Sequence, residues 1–188
     1  MCTLIIIPCS LTKVEGGNFA PAFDRFEASL GETRLQIIDH FNIILNDQLL
    51  PAYRRYGAFQ VGRNGGLLYT NMNWLLAEQL VDAQKLKILI VSALFGLIEY
   101  NLPIANYNLL ISQTSGVWSN DLILRTALNE YLGSHPQIRE VRSFLSDEYF
   151  NVLNGPNVNN QMIPYDRGAQ RARHYINPLL QQIAAAQN

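Results

Sequence analysis

Side chains able to do nucleophilic or acid–base chemistry follow three separate apolar segments of this sequence. They form three groups, one after each segment: Cys9, Ser10 and Lys13; Ser92 and Gly96; Ser146, Asp147 and Glu148. A thiol, an amine and a carboxylate that meet in one place can attack an electrophile, exchange protons with a substrate or hold a polar ligand. The candidate catalytic residues are therefore Cys9, Lys13 and Glu148.

Each of the three apolar segments is predicted to be a β-strand. Leu4–Pro8 and Ile88–Val91, the latter with Leu86 before Lys87, are short aliphatic runs, which are typical of strands covered on both faces. Residues 138–144 alternate apolar and charged side chains, which indicates a strand with one exposed face toward the edge of the sheet. If the strands run parallel, their carboxyl ends bring all three polar groups to one edge, where α/β proteins bind ligands.

Helices are predicted between the strands from apolar periodicity, caps and breakers. They are residues 21–30 with Gly31 as the stop, residues 35–50 ended by Pro51, a helix after the cap Asn73, residues 121–132 stopped by Gly133, a helix capped by Ser146, and a last helix from Asp166 that Pro178 should break or kink. Residues 92–107 show no helical or strand period, and residues 109–112 suggest a brief extended segment followed by a turn. The fold class is a single α/β domain over residues 1–188, with a mixed, largely parallel sheet flanked by helices.

Composition excludes several classes of function. The net charge is −1, from 14 Lys and Arg against 15 Asp and Glu, so any polyanion site must be a local patch. Cys2 and Cys9 lack a zinc-ligand spacing, the histidines His40, His135 and His174 are scattered, and no phosphate-binding glycine motif is present. With neither a basic leader nor a membrane-length apolar stretch, we expect a cytoplasmic protein without metal or cofactor.

Three local patterns have competing interpretations. Ser10 and Lys13 have the S-x-x-K spacing of some serine acyl enzymes, but the partner motifs of those enzymes are absent. Tyr107 and Tyr149 can stack on a base, although packing explains either tyrosine alone. For the arginines of the segment from residue 52 to 72, a solvated surface is a better interpretation than a phosphate-binding site: Arg54, Arg55 and Arg63.

The central stretch SALFGLIEYNLPIANY, residues 92–107, resembles the motif of YaaA-type peroxide-stress proteins and their shorter relatives. In that motif a strand leads into S-x-x-Y/F-G-L, then a proline, then P/A-x-Y, and the matching positions here are Ser92, Phe95, Gly96, Leu97 and Tyr107. Two further blocks agree in order. Cys9, Ser10 and Lys13 followed by PAFDRFEASL are similar to a block of the shorter relatives, with Phe26 where tyrosine is usual, and residues 145–150 are similar to the A-S-x-E-Y-F block of longer members.

The resemblance implies a role in resistance to hydrogen peroxide, in limiting damage from intracellular iron, and in binding DNA, including bent duplex. The implied pocket residues are Cys9, Ser10, Lys13, Ser92, Gly96, Tyr107, Ser146, Glu148 and Tyr149, and the implied phosphate contacts are Arg167, Arg171 and Arg173. The sequence departs from longer members between Gly31 and Asn71, where no helix-hairpin-helix pattern occurs, and in the short spacing before Arg167.

Two functional hypotheses follow, and a weaker third. The first is a YaaA-like stress protein that binds DNA or a nucleobase-like ligand in the cleft. The second is an enzyme acting on a nucleoside or modified base, with Glu148 or Asp147 as general acid and base near Cys9. The third is a small module that docks on a larger partner through an apolar surface.

Overall fold

The structure is a computed structural model that describes residues 2–57, 67–154, 162–164 and 169–186. The strands, in chain order, are β1 (Cys2–Pro8), β2 (Leu50–Pro51), β3 (Leu86–Ser92), β4 (Gly96–Glu99), β5 (Pro103–Ile104), β6 (Ile138–Ser143) and β7 (Met162–Pro164). The helices are α1 (Glu27–His40), α2 (Ala52–Arg55), α3 (Leu67–Asn71), α4 (Trp74–Asp82), α5 (Ile111–Ser119), α6 (Ile123–Ser134), α7 (Asp147–Asn154) and α8 (Ala169–Ala185).

Five strands form the main sheet, in the order β4-β3-β1-β6-β7. β1 pairs in parallel with β3 and β6, β6 pairs in parallel with β7, and only β4 runs antiparallel to its neighbour. All seven residues of β1 are buried, because the strand has a partner on each side and helices cover the sheet. The predicted fold class, a mixed and largely parallel sheet flanked by helices, is confirmed.

Two groups of helices flank the sheet. α1 packs against α5 and α6, and α5 also packs against α7, whereas α8 packs against α3 and α4. Asn73 caps α4 as predicted, since its side-chain oxygen accepts a hydrogen bond from the Leu76 N–H at 3.1 Å. α8 continues through Pro178 as one helix, so of the predicted break or kink the break does not occur. None of the helices in the described ranges has the length and apolarity needed to traverse a bilayer.

The two helices predicted on either side of Gly31 are replaced by one helix, α1, which starts later and ends earlier. A β-carbon at Gly31 would lie 2.6 Å from Oε1 of Glu27, so glycine here leaves room for the Glu27 side chain. Glu27 and Asp24 both pair with the buried Arg34, at 2.7 and 2.5 Å. Gly31, which was predicted to end a helix, thus lies inside one and leaves room for a neighbouring side chain.

Residues 92–119 also differ from the prediction. β3 turns directly into β4, so the segment expected to be irregular contains an antiparallel hairpin. Residues 111–119 form α5 instead of an extended segment and a turn. Trp118 Nε1 and Thr114 Oγ1 both donate to the Ala93 carbonyl oxygen, at 2.8 and 2.9 Å, which ties α5 to the hairpin. These long-range bonds favour the helix over the turn that the local residue types indicate.

Candidate functional site

The loop that follows β1 is held in place by a buried arginine. The Arg55 side chain is fully buried and its guanidinium donates to four backbone carbonyls, those of Val14, Gly16, Gln48 and Ile104. Two of these carbonyls belong to the loop that carries Lys13. The predicted solvated arginine face is therefore wrong for Arg55, although Arg54 beside it is exposed, and Arg63 lies outside the described residues.

Three buried hydroxyl groups meet at the carboxyl end of β3. The Tyr56 hydroxyl donates to Ser92 Oγ at 3.1 Å, and the Tyr107 hydroxyl lies 2.8 Å from each of these two oxygens. Ser92 Oγ also accepts the Phe95 N–H at 3.0 Å, at the turn into β4. The hydroxyl triangle, Tyr56, Ser92 and Tyr107, fixes the orientation of both tyrosine rings.

Lys13 lies on this aromatic surface. Its Nζ is 4.0 Å from the centroid of the Tyr107 ring and 5.8 Å from that of Tyr56, and it donates to the Leu11 carbonyl oxygen at 3.1 Å. Burial lowers the pKa of Lys13 to about 8; the negative charge of Cys9 works against this shift, and the positive charge of Arg55 adds to it. The amine is half-buried, so it remains reachable from solvent.

Cys9 contacts both β3 and Tyr149 of α7. Its backbone N–H donates to the Val91 carbonyl oxygen at 2.8 Å, and its Sγ lies 3.2 Å from the Tyr149 hydroxyl. The Tyr69 hydroxyl donates to the Pro8 carbonyl oxygen at 2.6 Å and completes the wall beside Cys9. Segments from four parts of the chain therefore converge at the carboxyl end of β1.

The four tyrosines near Cys9 stay protonated near neutral pH. Burial raises the pKa of each of them well above its ordinary value, and the electrostatic effect of the neighbouring Cys9 raises the pKa further: Tyr56, Tyr69, Tyr107 and Tyr149. They can donate hydrogen bonds to a ligand or to one another, but they provide no negative charge to pair with the Lys13 ammonium.

Of the remaining predicted site residues, two are buried or half-buried, one is exposed, and the glycine lies beside α6. Ser10 is buried beside Cys9 and its Oγ has no hydrogen-bond partner, while Ser146 is half-buried just before α7. Glu148 is exposed on α7. Gly96 begins β4 with φ +66°, and a β-carbon there would lie 2.8 Å from Leu124 Cδ2, so Gly96 meets the α6 side of the hairpin.

The predicted phosphate contacts are less well defined. Arg167 lies outside the described residues, and Arg171 and Arg173 belong to the first turns of α8, where only the backbone is described. Within the described part of the chain, no cluster of three or more metal-ligating His, Cys, Asp or Glu side chains occurs.

The structure thus brings together five of the predicted site residues: Cys9, Lys13, Ser92, Tyr107 and Tyr149. Sequence reasoning missed Tyr56, which lies among them, and Arg55 and Tyr69, which support them. Only their neighbourhood gave a signal, since residues 52–72 are rich in arginine and tyrosine but lack any periodicity. We refer to Cys9, Lys13, Tyr56, Ser92, Tyr107 and Tyr149 as the strand-end cluster.

The strand-end cluster combines aromatic, hydroxyl, thiol and amine groups, and those of Cys9, Lys13 and Tyr149 are partly accessible. A primary amine with a lowered pKa also permits nucleophilic and acid–base chemistry. Comparison with known proteins adds no identity: no family model matches the chain, and a search of curated proteins finds no match.

The lowered pKa of Lys13 makes a pH-dependent contribution to stability. Below about pH 8 the buried ammonium is protonated in both states and its desolvation opposes folding. Between about pH 8 and 10.4 the unfolded chain holds the proton that the folded chain has lost, so the Lys13 contribution to the free energy of unfolding rises with pH. We expect the stability of Lys13→Met relative to the natural chain to fall by about 2 kcal/mol between pH 7 and 9.5.

Urea unfolding at several pH values measures this difference. The stability of each variant is compared with that of the natural chain at the same pH, which cancels the effect of the buried tyrosines that both share. The raised pKa values of those tyrosines make the folded state less stable above pH 10. Lys85→Met is the charge-matched control, because Lys85 precedes β3 at the other end of the sheet. A difference between Lys13→Met and the natural chain that does not change with pH would contradict the assignment.

Proposed function

We propose that this chain is a YaaA-like protein of the peroxide-stress response that binds a nucleobase-like ligand, free or within DNA, in the cleft at the strand ends. The observation that carries the proposal is that Cys9 and Lys13 meet Ser92 and two tyrosines, which are remote from them in sequence, at one edge of the sheet. This is the edge at which open α/β sheets bind ligands.

The chemistry of the strand-end cluster suits a nucleobase. The partly accessible groups are Cys9, Lys13 and Tyr149, which offer a thiol, an amine and an aromatic ring with a hydroxyl. A nucleobase presents a π-face for stacking and ring edges that accept and donate hydrogen bonds. The buried, unpaired Ser10 hydroxyl supplies one more group that a ligand can satisfy, and satisfying such a group is favourable.

The peroxide-stress and DNA parts of the proposal rest on the resemblance of residues 92–107 and of the two flanking blocks. Cys9 offers a half-buried thiol next to Tyr149, and α8 carries Arg171 and Arg173. Restored growth of a peroxide-sensitive bacterial strain that lacks its own YaaA-type protein tests the physiological part. A gel-shift assay with a duplex at several salt concentrations tests the DNA part. An absent or salt-insensitive shift would remove this part, because phosphate contacts weaken with salt.

Calorimetric titration with a panel of nucleobases and nucleosides tests the ligand part. We expect one or more of them to bind, and Lys13→Met to weaken binding about tenfold, the effect of losing one hydrogen bond with a charged donor. Lys85→Met, at the opposite end of the sheet, should bind like the natural chain. Failure of the whole panel to bind at millimolar concentration, or equal binding by Lys13→Met, would overturn the proposal.

The second candidate is an enzyme that acts on a nucleoside or modified base. The adjacency of Cys9 to Lys13, seen in the effect of Cys9 on the pKa of Lys13, favours it, because a thiol and an amine are both nucleophiles. Glu148, the intended general acid and base, is exposed on α7. Unchanged turnover of a nucleoside panel by both Glu148→Gln and Cys9→Ala would remove this candidate.

A further inference from the structure

Lys13 is one of only three lysines in the chain, with Lys85 and Lys87. Its amine lies over the face of an aromatic ring, and among the ion pairs of the described residues none involves Lys13. The groups around it are the thiol of Cys9, the phenols of Tyr56 and Tyr107, and the guanidinium of Arg55. None of these groups is a carboxylate, so among the described residues the Lys13 ammonium lacks the partner that usually stabilises it.

We propose that Lys13 is a nucleophilic amine that forms a covalent imine with the carbonyl group of a planar aldehyde or ketone bound in the strand-end cluster. The proposal rests on the proposed function, because it places this substrate class in the same cleft. It assigns the partly accessible Tyr149 ring to the planar part of the substrate and the Lys13 Nζ to its carbonyl carbon.

The reaction is balanced without a further reagent. The lone pair of the neutral Lys13 amine forms a bond to the carbonyl carbon, and the carbonyl π electrons move to the oxygen. That oxygen takes one proton released by the nitrogen and one from solvent and leaves as water. The product is a protonated imine between Lys13 Nζ and the former carbonyl carbon, with no change in oxidation state.

The surroundings favour the neutral amine that this step requires. With a pKa of about 8, roughly a tenth of the Lys13 side chains are unprotonated at pH 7, against about 0.04% for a lysine with an unperturbed pKa. The raised pKa values of Tyr56 and Tyr107 keep their hydroxyls uncharged, so no phenolate holds the ammonium. The Leu11 carbonyl accepts one hydrogen bond from Nζ and orients it.

Selective labelling tests the proposal on the natural chain. The folded protein is incubated at pH 7 with pyridoxal, a planar heteroaromatic aldehyde, the imine is reduced with borohydride, and peptides are quantified by mass spectrometry. Since reactivity falls as amine basicity falls, the expected excess is smaller than the ratio of neutral fractions: we expect labelling of Lys13 at least tenfold above Lys85 and Lys87. The three lysines fall in separate or distinguishable peptides, so each is read directly.

Two comparisons complete the test. Labelling in urea should become similar at all three lysines, because unfolding removes the environment of Lys13, and Lys13→Arg should lose the dominant label whereas Lys87→Arg should keep it. Equal labelling of the three lysines in the folded natural chain would overturn the proposal, whatever the variants do. Nucleoside binding without selective labelling would overturn only the amine chemistry, and selective labelling without nucleoside binding would overturn only the nucleobase ligand.

Discussion

Arg55→Met is expected to lower the free energy of unfolding by about 3–5 kcal/mol, the range seen when one side of a buried charged network is removed. The guanidinium is fully buried and donates to the carbonyls of Val14, Gly16, Gln48 and Ile104. Methionine fills much of the same space without a donor, so several buried carbonyl oxygens lose their partners. The loop that carries Lys13 would lose two of its anchors.

The neighbouring arginine is a matched control. Arg54 is exposed and its Nε donates to the Tyr53 hydroxyl, so Arg54→Met should cost less than about 1 kcal/mol. Urea unfolding followed by circular dichroism compares both variants with the natural chain. Similar stability of Arg55→Met and Arg54→Met would show that the carbonyls of the loop do not depend on Arg55.

Gly17→Ala is expected to cost about 3–5 kcal/mol, because it combines backbone strain with overlap. Gly17 has φ +126°, a conformation that side chains with a β-carbon rarely adopt. A β-carbon there would lie 2.7 Å from the Leu49 carbonyl carbon and 2.8 Å from Leu50 Cγ. The Phe19 N–H donates to the Leu49 carbonyl at 3.1 Å, so the two backbones are already held together.

Gly16 next to it separates the two effects. It has φ +75°, but a β-carbon at that position meets no atom within 4 Å. Gly16→Ala should therefore cost only the left-handed backbone strain, about 1–2 kcal/mol. Thermal and urea unfolding of both variants measure the difference, and equal losses would mean that the approach of Leu49 to Gly17 is relaxed in solution.

Three strands, β1, β3 and β6, were predictable from sequence because each is encoded by its own residues. Leu4 to Ile7 and Ile88 to Val91 are aliphatic runs that need no distant information to be recognised, and both are strands of the sheet. The convergence at the carboxyl ends followed from the parallel direction of β1, β3 and β6, so the meeting of Cys9 and Ser92 with Tyr149 and Lys13 was accessible to the same reasoning.

The errors concern residues whose role is set by a distant partner. Gly31 looks like a helix stop until Glu27 and Arg34 are placed, and α5 looks like a turn until Trp118 and Thr114 reach the Ala93 carbonyl. Arg55 looks solvated because arginine usually is. No local sequence pattern predicts that Arg55 is surrounded by four carbonyls from three other segments of the chain.

The central position of β1 has a consequence for how the protein is made. Thr3 pairs with Leu86 and Cys2 with Ile138, so β1 is synthesised well before the strands that lie on either side of it. At roughly 5–20 residues per second, more than 80 residues take about 4–16 s. During that time the aliphatic run from Leu4 to Ile7 has neither neighbour, and we expect nascent chains that end before β3 to be clients of ribosome-associated chaperones.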